Sequence, residues 1–187
     1  MRSREQVAAF GGGCHWCTEA VFQHVAGVTR VEQGFACGPA PYDAPSEAAR
    51  VAWNPRATDL SALIGVHLDT HAAGAAHAMR AKYRSAIYVT DEAQAAAARS
   101  VLDAQAQRRG TLVTQVLPLR RFSLSPERYR DYYRRRPDAP FCRTHIAPKL
   151  ARIGRGALPP VDEPPDHRPL VDQSVTVPPV RKADQNV

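Results

Sequence analysis

Long apolar runs are missing from this 187-residue chain, and so is an apolar leader at its N-terminus. No stretch reaches the ~18 apolar residues that a membrane helix needs. With the starting methionine in place, the cytoplasm is the expected compartment and no membrane partner is expected. Cysteine is sparse as well: four residues are too few for a disulfide-stapled secreted scaffold, and a reducing compartment suits a catalytic thiol. The sequence has neither G-x-G-x-x-G nor G-x-x-x-x-G-K-[ST], so nothing supports a nicotinamide or nucleoside triphosphate cofactor. Only one C-x-x-C is present, Cys14 and Cys17, while Cys37 and Cys142 stand alone; a zinc site is therefore disfavoured and no metal or other cofactor is expected.

What is there suffices for a core. The apolar fraction is 44%, ordinary for a globular protein. The net charge is +7, with arginine far outnumbering lysine. Much of the excess lies in Arg120, Arg121, Arg128, Arg130, Arg134, Arg135 and Arg136. Such a run attracts nucleic acid or an acidic protein. It lacks aromatic interleaving and any recognition module, so the expectation is a solvated helix face and no nucleic-acid partner.

The chain is organised around Gly11-Gly12-Gly13-Cys14-His15-Trp16-Cys17-Thr18-Glu19. Val7 to Phe10 reads as a short strand before it, and Ala20 to Val25 continues it as a helix. Three glycines allow a sharp turn and a close backbone approach. Cys14 is thereby delivered to a helix start, where unpaired N–H groups and the dipole favour a thiolate.

Further strands are expected at 28–35, 48–53, 83–89 and 111–117. Helices are expected from Thr58 or Asp59 to about His71, from Thr90 or Asp91 to about Arg109 with Gly110 ending it, and from Ser125-Pro126-Glu127 to Arg136. Cys37 to Pro45, with three prolines, reads as a rigid loop, and 72–78 as featureless. The order β-α-β-β-α-β-α-β-α implies a two-layer α/β (α+β) fold, a mixed sheet with packed helices and a ferredoxin-like core. Residues 1–153 form the catalytic domain; 154–187, rich in proline, reads as a disordered tail.

Reduction by a thiol needs a proton donor, groups around the departing oxygen and a second thiol. Glu47, just before the third strand, is the candidate acid, held protonated by partial burial. Tyr42 and Tyr83 offer phenolic hydrogen bonds. Trp16 can wall an apolar pocket, and His15 can favour the thiolate or donate a hydrogen bond. Glu19 can cap backbone N–H groups or sit in solvent. His67, His71 and His77 lie on or after one helix, without the carboxylate or cysteine that a metal would need. Cys142, expected in a mobile C-terminal segment, Cys17 in the C-x-x-C, and Cys37 are the possible resolving thiols.

Phe10 to Glu19, FGGGCHWCTE, resembles the active-site segment of the A-type peptide methionine sulfoxide reductases, G-C-F-W followed by E. The resemblance continues through Glu47 to Val51 and Trp53-Asn54-Pro55, His71, and Lys82 to Tyr88, KYRSAIY, and covers about residues 5–145. It implies thiol-dependent reduction of methionine (S)-sulfoxide, in oxidised proteins or small sulfoxides. Cys14 would become a sulfenic acid and then a disulfide, recycled by thioredoxin or a similar dithiol. In that role set Cys14 is the nucleophile, Trp16 a pocket wall, Glu47 the acid, Tyr83 and Tyr42 the phenols, and Cys142 the resolving cysteine. His15 replaces the family's pocket phenylalanine. The expected pocket aspartate gives way to Ala78, with His77 its nearest polar neighbour. Two alternatives stay open: a general C-x-x-C thiol–disulfide oxidoreductase, and a non-catalytic redox-sensing or binding protein on the same fold.

Overall fold

The structure, a computed structural model, describes residues 5–72, 74 and 82–154. The tail 155–187 and His77 lie outside the described residues, as does Ala78. Strand β1 (Gln6–Gly11) leads into helix α1 (His15–Gln23), followed by β2 (Val28–Cys37), β3 (Ser46–Trp53) and α2 (Leu60–Thr70). Then come β4 (Ala86–Val89), α3 (Glu92–Arg109), β5 (Gln115–Pro118) and β6 (Arg121–Leu124). A 3-10 turn (Glu127–Tyr129), α4 (Tyr132–Arg135), a π-helical turn (Cys142–Ile146) and α5 (Ala147–Arg152) complete the described chain.

The six strands form one mixed sheet in the order β5-β4-β1-β3-β2-β6. β1 runs antiparallel to β3 and β4, β2 antiparallel to β3 and β6, and only β4 and β5 are parallel. Strand alternation sends Phe10, Val51, Trp53 and Ile87 to one face, where they bury against Phe22 of α1, Leu63 and Ile64 of α2 and Ala98 of α3. Ala9, Ala48 and Tyr88 point to the other face and pack on Leu117 and Tyr42. This is the mixed two-layer architecture expected from the sequence. Among the described residues no helix is long and apolar enough to cross a membrane.

Two expected caps form. The Asp59 and Asp91 side chains accept the Ala62 and Gln94 amides, and each cap is worth about 1 kcal/mol. Gly110 ends α3 at φ 82°. The departures from expectation have physical causes. The strand expected to open at Tyr83 begins only at Ala86, because Arg84 N–H donates to Ser46 Oγ and the Lys82 carbonyl accepts from Glu47 N–H. Cys37 is the last residue of β2 instead of a loop residue, since β6 adds to that edge and pairs Cys37 with Arg121. β6 itself, four residues just after Pro118, was too short to stand out by periodicity.

The helix expected over 126–136 is broken. Asp131 adopts φ 55°, and its N–H donates to Glu19 Oε1 in place of a helical carbonyl. Glu19 Oε2 also accepts from Gln33 Nε2, and Gln33 Nε2 donates to the Tyr129 carbonyl. Glu19 is thus neither a cap for its own helix nor a solvated carboxylate: it pins the segment after β6 onto α1 and β2.

Burial, against the opposing hydrogen bonds, raises the Glu19 carboxyl to about 7, with the nearby Asp131 charge adding to the rise. A raised folded-state value means the folded protein binds this proton more tightly than the unfolded chain. The stabilisation is complete below the unfolded value of about 4.5 and is lost as pH rises towards about 7. Glu19→Gln removes that contribution. Urea midpoints of the two proteins, measured from about pH 5 to about pH 7.5, should fall more steeply for the wild type; parallel curves would contradict it.

Candidate active site

The site sits where β1 ends. A Cβ on Gly11 would lie 2.8 Å from the Arg84 carbonyl and 3.1 Å from that of Glu47. One on Gly12 would lie 2.4 Å from the His71 ring. That ring cannot swing aside cheaply: Nδ1 is 2.5 Å from the His67 carbonyl and Nε2 is 2.8 Å from Ser85 Oγ. His67 is buried against Phe10 and holds the Gly11 carbonyl through Nε2 at 3.0 Å. The glycines are therefore required by close approach, with the backbones of β3 and the segment before β4 on one side and two stacked imidazoles on the other. Among the described residues no group of three or more His, Cys, Asp or Glu is arranged to hold a metal.

Cys14 is the N-cap of α1 and half-exposed. Its thiol is lowered to about 7. The largest cause is a hydrogen bond from Cys17, opposed by burial and helped by the backbone N–H groups of Trp16 and Cys17. A Glu47 negative charge nearby raises it. Cys17 is buried, and its donation to Cys14 together with burial pushes its own thiol far up. The two sulfurs are thus split into an attacking thiolate and a proton-holding neighbour.

Glu47, second of the four buried residues opening β3, reaches the same helix start. Oε2 accepts the His15 N–H at 3.1 Å and lies 3.7 Å from His15 Nδ1, which is also 3.3 Å from the Gly34 carbonyl. Oε1 is 3.6 Å from Lys82 Nζ, and that ammonium sits 5.1 Å from the centre of the Tyr83 ring. The hydrogen bond with Tyr83 and, after it, the Glu47 charge raise the value of Lys82, whose side chain is 57% exposed. Burial lowers the His15 imidazole below its ordinary value, leaving it neutral at pH 7. Glu47 is therefore buried beside donors and a cation.

Trp16 forms an aromatic wall. Tyr132 of α4 stacks on it at 4.3 Å between centroids, and Phe141 meets it edge-on at 5.6 Å. Cys142 is not in a mobile segment: it opens the π-helical turn, is 0% exposed, and packs with Cys17 and Val21 of α1. Burial raises its thiol. Cys37 is buried at the opposite edge of the sheet beside Arg121. The Tyr42 hydroxyl accepts from Gln115 Nε2 at 2.9 Å, while the Arg84 guanidinium lies over its ring and donates to its carbonyl.

Cys14, Cys17, His15, Trp16, Glu47 and Tyr83 are thus drawn to one corner, with Cys142 behind α1. Tyr42 is tied to β5 and Cys37 to β6. Sequence reasoning gave no role to Lys82, although it stands immediately before Tyr83. It also missed Ser46, whose hydroxyl accepts from Arg84 N–H and donates to the Lys82 carbonyl, clasping the start of β3, which carries Glu47, to the segment before β4, which carries Tyr83.

The family model for peptide methionine sulfoxide reductase matches residues 6–158. Peptide methionine sulfoxide reductase MsrA 1 of Rhodopirellula baltica is 32% identical over 171 residues, covering 82% of this chain and 88% of that protein. Among solved structures, Mxr1 from Saccharomyces cerevisiae in reduced form superposes with a TM-score of 0.65 at 18% identity, covering 76% of this chain and 91% of that one. The structure of Mxr1 in complex with Trx2 superposes with a TM-score of 0.56 at 17% identity, covering 67% and 84%. These structural likenesses establish the fold.

The hydrogen bond from Cys17 has a direct consequence. Cys17→Ala should raise the Cys14 thiol above about 7, whereas Cys17→Ser, which keeps a donor, should raise it less. The rate of iodoacetamide alkylation of Cys14 against pH reads this. An unmoved midpoint in Cys17→Ala would show that the helix start alone sets the thiolate.

Proposed function

We propose, for a chain that belongs to the peptide methionine sulfoxide reductase family, that it reduces methionine (S)-sulfoxide with Cys14 as nucleophile and Glu47 as proton donor. The observation that carries this reading is the shared corner. The Cys14 thiol is lowered to about 7, and the Glu47 carboxylate accepts the amide of the very next residue. The Glu47 charge raises the Cys14 thiol, so sulfur and carboxylate are electrostatically linked at this corner.

The Cys14 thiolate attacks the sulfoxide sulfur while Glu47 gives a proton to the oxygen, which becomes the hydroxyl of the Cys14 sulfenic acid as the thioether leaves. Lys82, on the other carboxylate oxygen, balances the charge left on Glu47. Tyr83, held by Lys82, is the phenol suited to the sulfoxide oxygen; Tyr42 plays that part only if it exchanges its Gln115 partner. Trp16, His15 and the Tyr132 ring wall the methyl group. His15 makes one wall polar but uncharged at neutral pH.

Resolution starts at Cys17, whose thiol already donates to Cys14. Cys17 attacks the sulfenic sulfur, forming the Cys14–Cys17 disulfide and releasing water. Cys142, packed on Cys17, is the second thiol to which that disulfide can pass when the π-helical turn opens. A dithiol protein of the thioredoxin kind then reduces the bridge, a partner supported by the complex that Mxr1 forms with Trx2. Four free thiols suit a reducing compartment such as the cytoplasm.

The test is anaerobic turnover of S and R sulfoxides, free and peptide-bound, with dithiothreitol or thioredoxin. The S epimer alone should be reduced. Cys14→Ser should abolish turnover, and Glu47→Gln should slow it by roughly 10²- to 10⁴-fold in a folded protein. Exchange of protein disulfides without sulfoxide reduction would establish a general oxidoreductase instead. Inertness towards both epimers would establish a redox-sensing or binding protein.

A further inference from the structure

The charge of this protein is not spread over it. Residues 120–152 hold ten arginines and lysines against three acidic residues, a surplus of +7 that equals the net charge of the entire chain. The remaining residues balance. This basic stretch, under a fifth of the chain, folds as β6, the 3-10 turn, α4, the π-helical turn and α5, and its aromatic side chains around α4 wall the candidate site. Tyr132 and Phe141, which enclose Trp16, belong to it. Arg128, Arg135, Arg136 and Arg143 are exposed. The Arg135 guanidinium donates to the Glu127 and Arg130 carbonyls, bonds that fix its position and leave its charge intact. The same stretch of chain carries the exposed large apolar side chains Leu124 and Tyr129, the latter 41% exposed beneath the Arg128 guanidinium.

We infer that this face is a docking surface for acidic polypeptide, and that the protein favours oxidised methionines flanked by aspartate and glutamate. The inference rests on the reductase reading and names its substrate class. Positive charge at the rim of the pocket raises the local concentration of a negatively charged chain and orients it across the thiol. Leu124 and Tyr129 supply apolar contact for that chain. A dithiol reductant is the poorer occupant, because the resolving sulfurs, Cys17 of α1 and Cys142 packed on it, are buried in this form.

The experiment uses the full chain with dithiothreitol, so that no protein reductant takes part. Three peptides of equal length carry one oxidised methionine flanked by glutamate, serine or lysine, beside the uncharged N-acetyl-methionine sulfoxide amide. At low salt kcat/KM should rank glutamate over serine over lysine, with about tenfold or more between the extremes, and the gap should close at about 0.5 M salt. Arg136→Glu/Arg143→Glu should reverse the ranking and leave the uncharged amide unaffected, which also shows that the variant is folded. Equal kcat/KM for the three peptides, or a ranking unmoved by the variant, overturns the inference. So does a variant that slows only recycling by thioredoxin, which assigns the face to the reductant. RNA retention in a salt-dependent mobility shift, with no peptide preference, overturns it in favour of nucleic acid. If even the uncharged amide is not reduced, the reductase reading fails by itself. Fluorescence anisotropy of the labelled peptides then decides the surface, which stands if glutamate peptides bind and lysine peptides do not.

Discussion

Everything at the site depends on how closely β1 is allowed to approach its neighbours as it ends. Gly11 lies against the carbonyls of Arg84 and Glu47, and Gly12 against the His71 ring. A side chain at Gly11 would push on β3 and the segment before β4, which carry the carboxylate and the phenol, and one at Gly12 would strike the imidazole. The imidazoles that form the floor are themselves immobilised, His67 on the Gly11 carbonyl and His71 on Ser85. The corner is rigid because each group that crowds it is held by a second bond. Cys14, Glu47 and Tyr83 come from three separate stretches of chain and meet only because of it.

Rigidity then becomes chemistry through one proton. Cys17 spends its hydrogen bond on Cys14 and is left a poor acid, so at neutral pH the pair offers one thiolate and one thiol. The Glu47 charge opposes ionisation of Cys14, so the sulfur and the carboxylate are linked electrostatically across the corner. Lys82 stands outside, half in solvent, where it screens the carboxylate without closing the pocket. On the far side of α1, Glu19 holds the C-terminal segment, and that segment supplies Tyr132, Phe141 and Cys142. The buried carboxyl thus has a positioning role for the wall of the site, at a distance from the reacting sulfur.

The parts of this arrangement that were legible in the sequence are those encoded locally. The glycine run before Cys14, the C-x-x-C at a helix start, the aspartate caps of α2 and α3 and the alternation that defines the mixed sheet all depend on residues close together in the chain. What could not be read depends on tertiary bonds. The helix expected through 126–136 breaks because the Asp131 N–H finds Glu19, 112 residues away, a better acceptor. Cys142, between Phe141 and Arg143, looked mobile because nothing nearby in sequence buries it; α1 does so. The partners of Glu47 were hidden for the same reason, since the Lys82 and His15 groups beside it come from other parts of the chain.

The central claim is that one sulfur performs the reduction and is itself oxidised in doing so. The most direct measurement is a single turnover under anaerobic conditions, with Cys17, Cys37 and Cys142 all replaced by serine and Cys14 left as the sole thiol. The account predicts one equivalent of thioether per protein and a sulfenic acid on Cys14, visible by mass after capture with dimedone. No thioether, or thioether formed while Cys14 stays a free thiol, would contradict it.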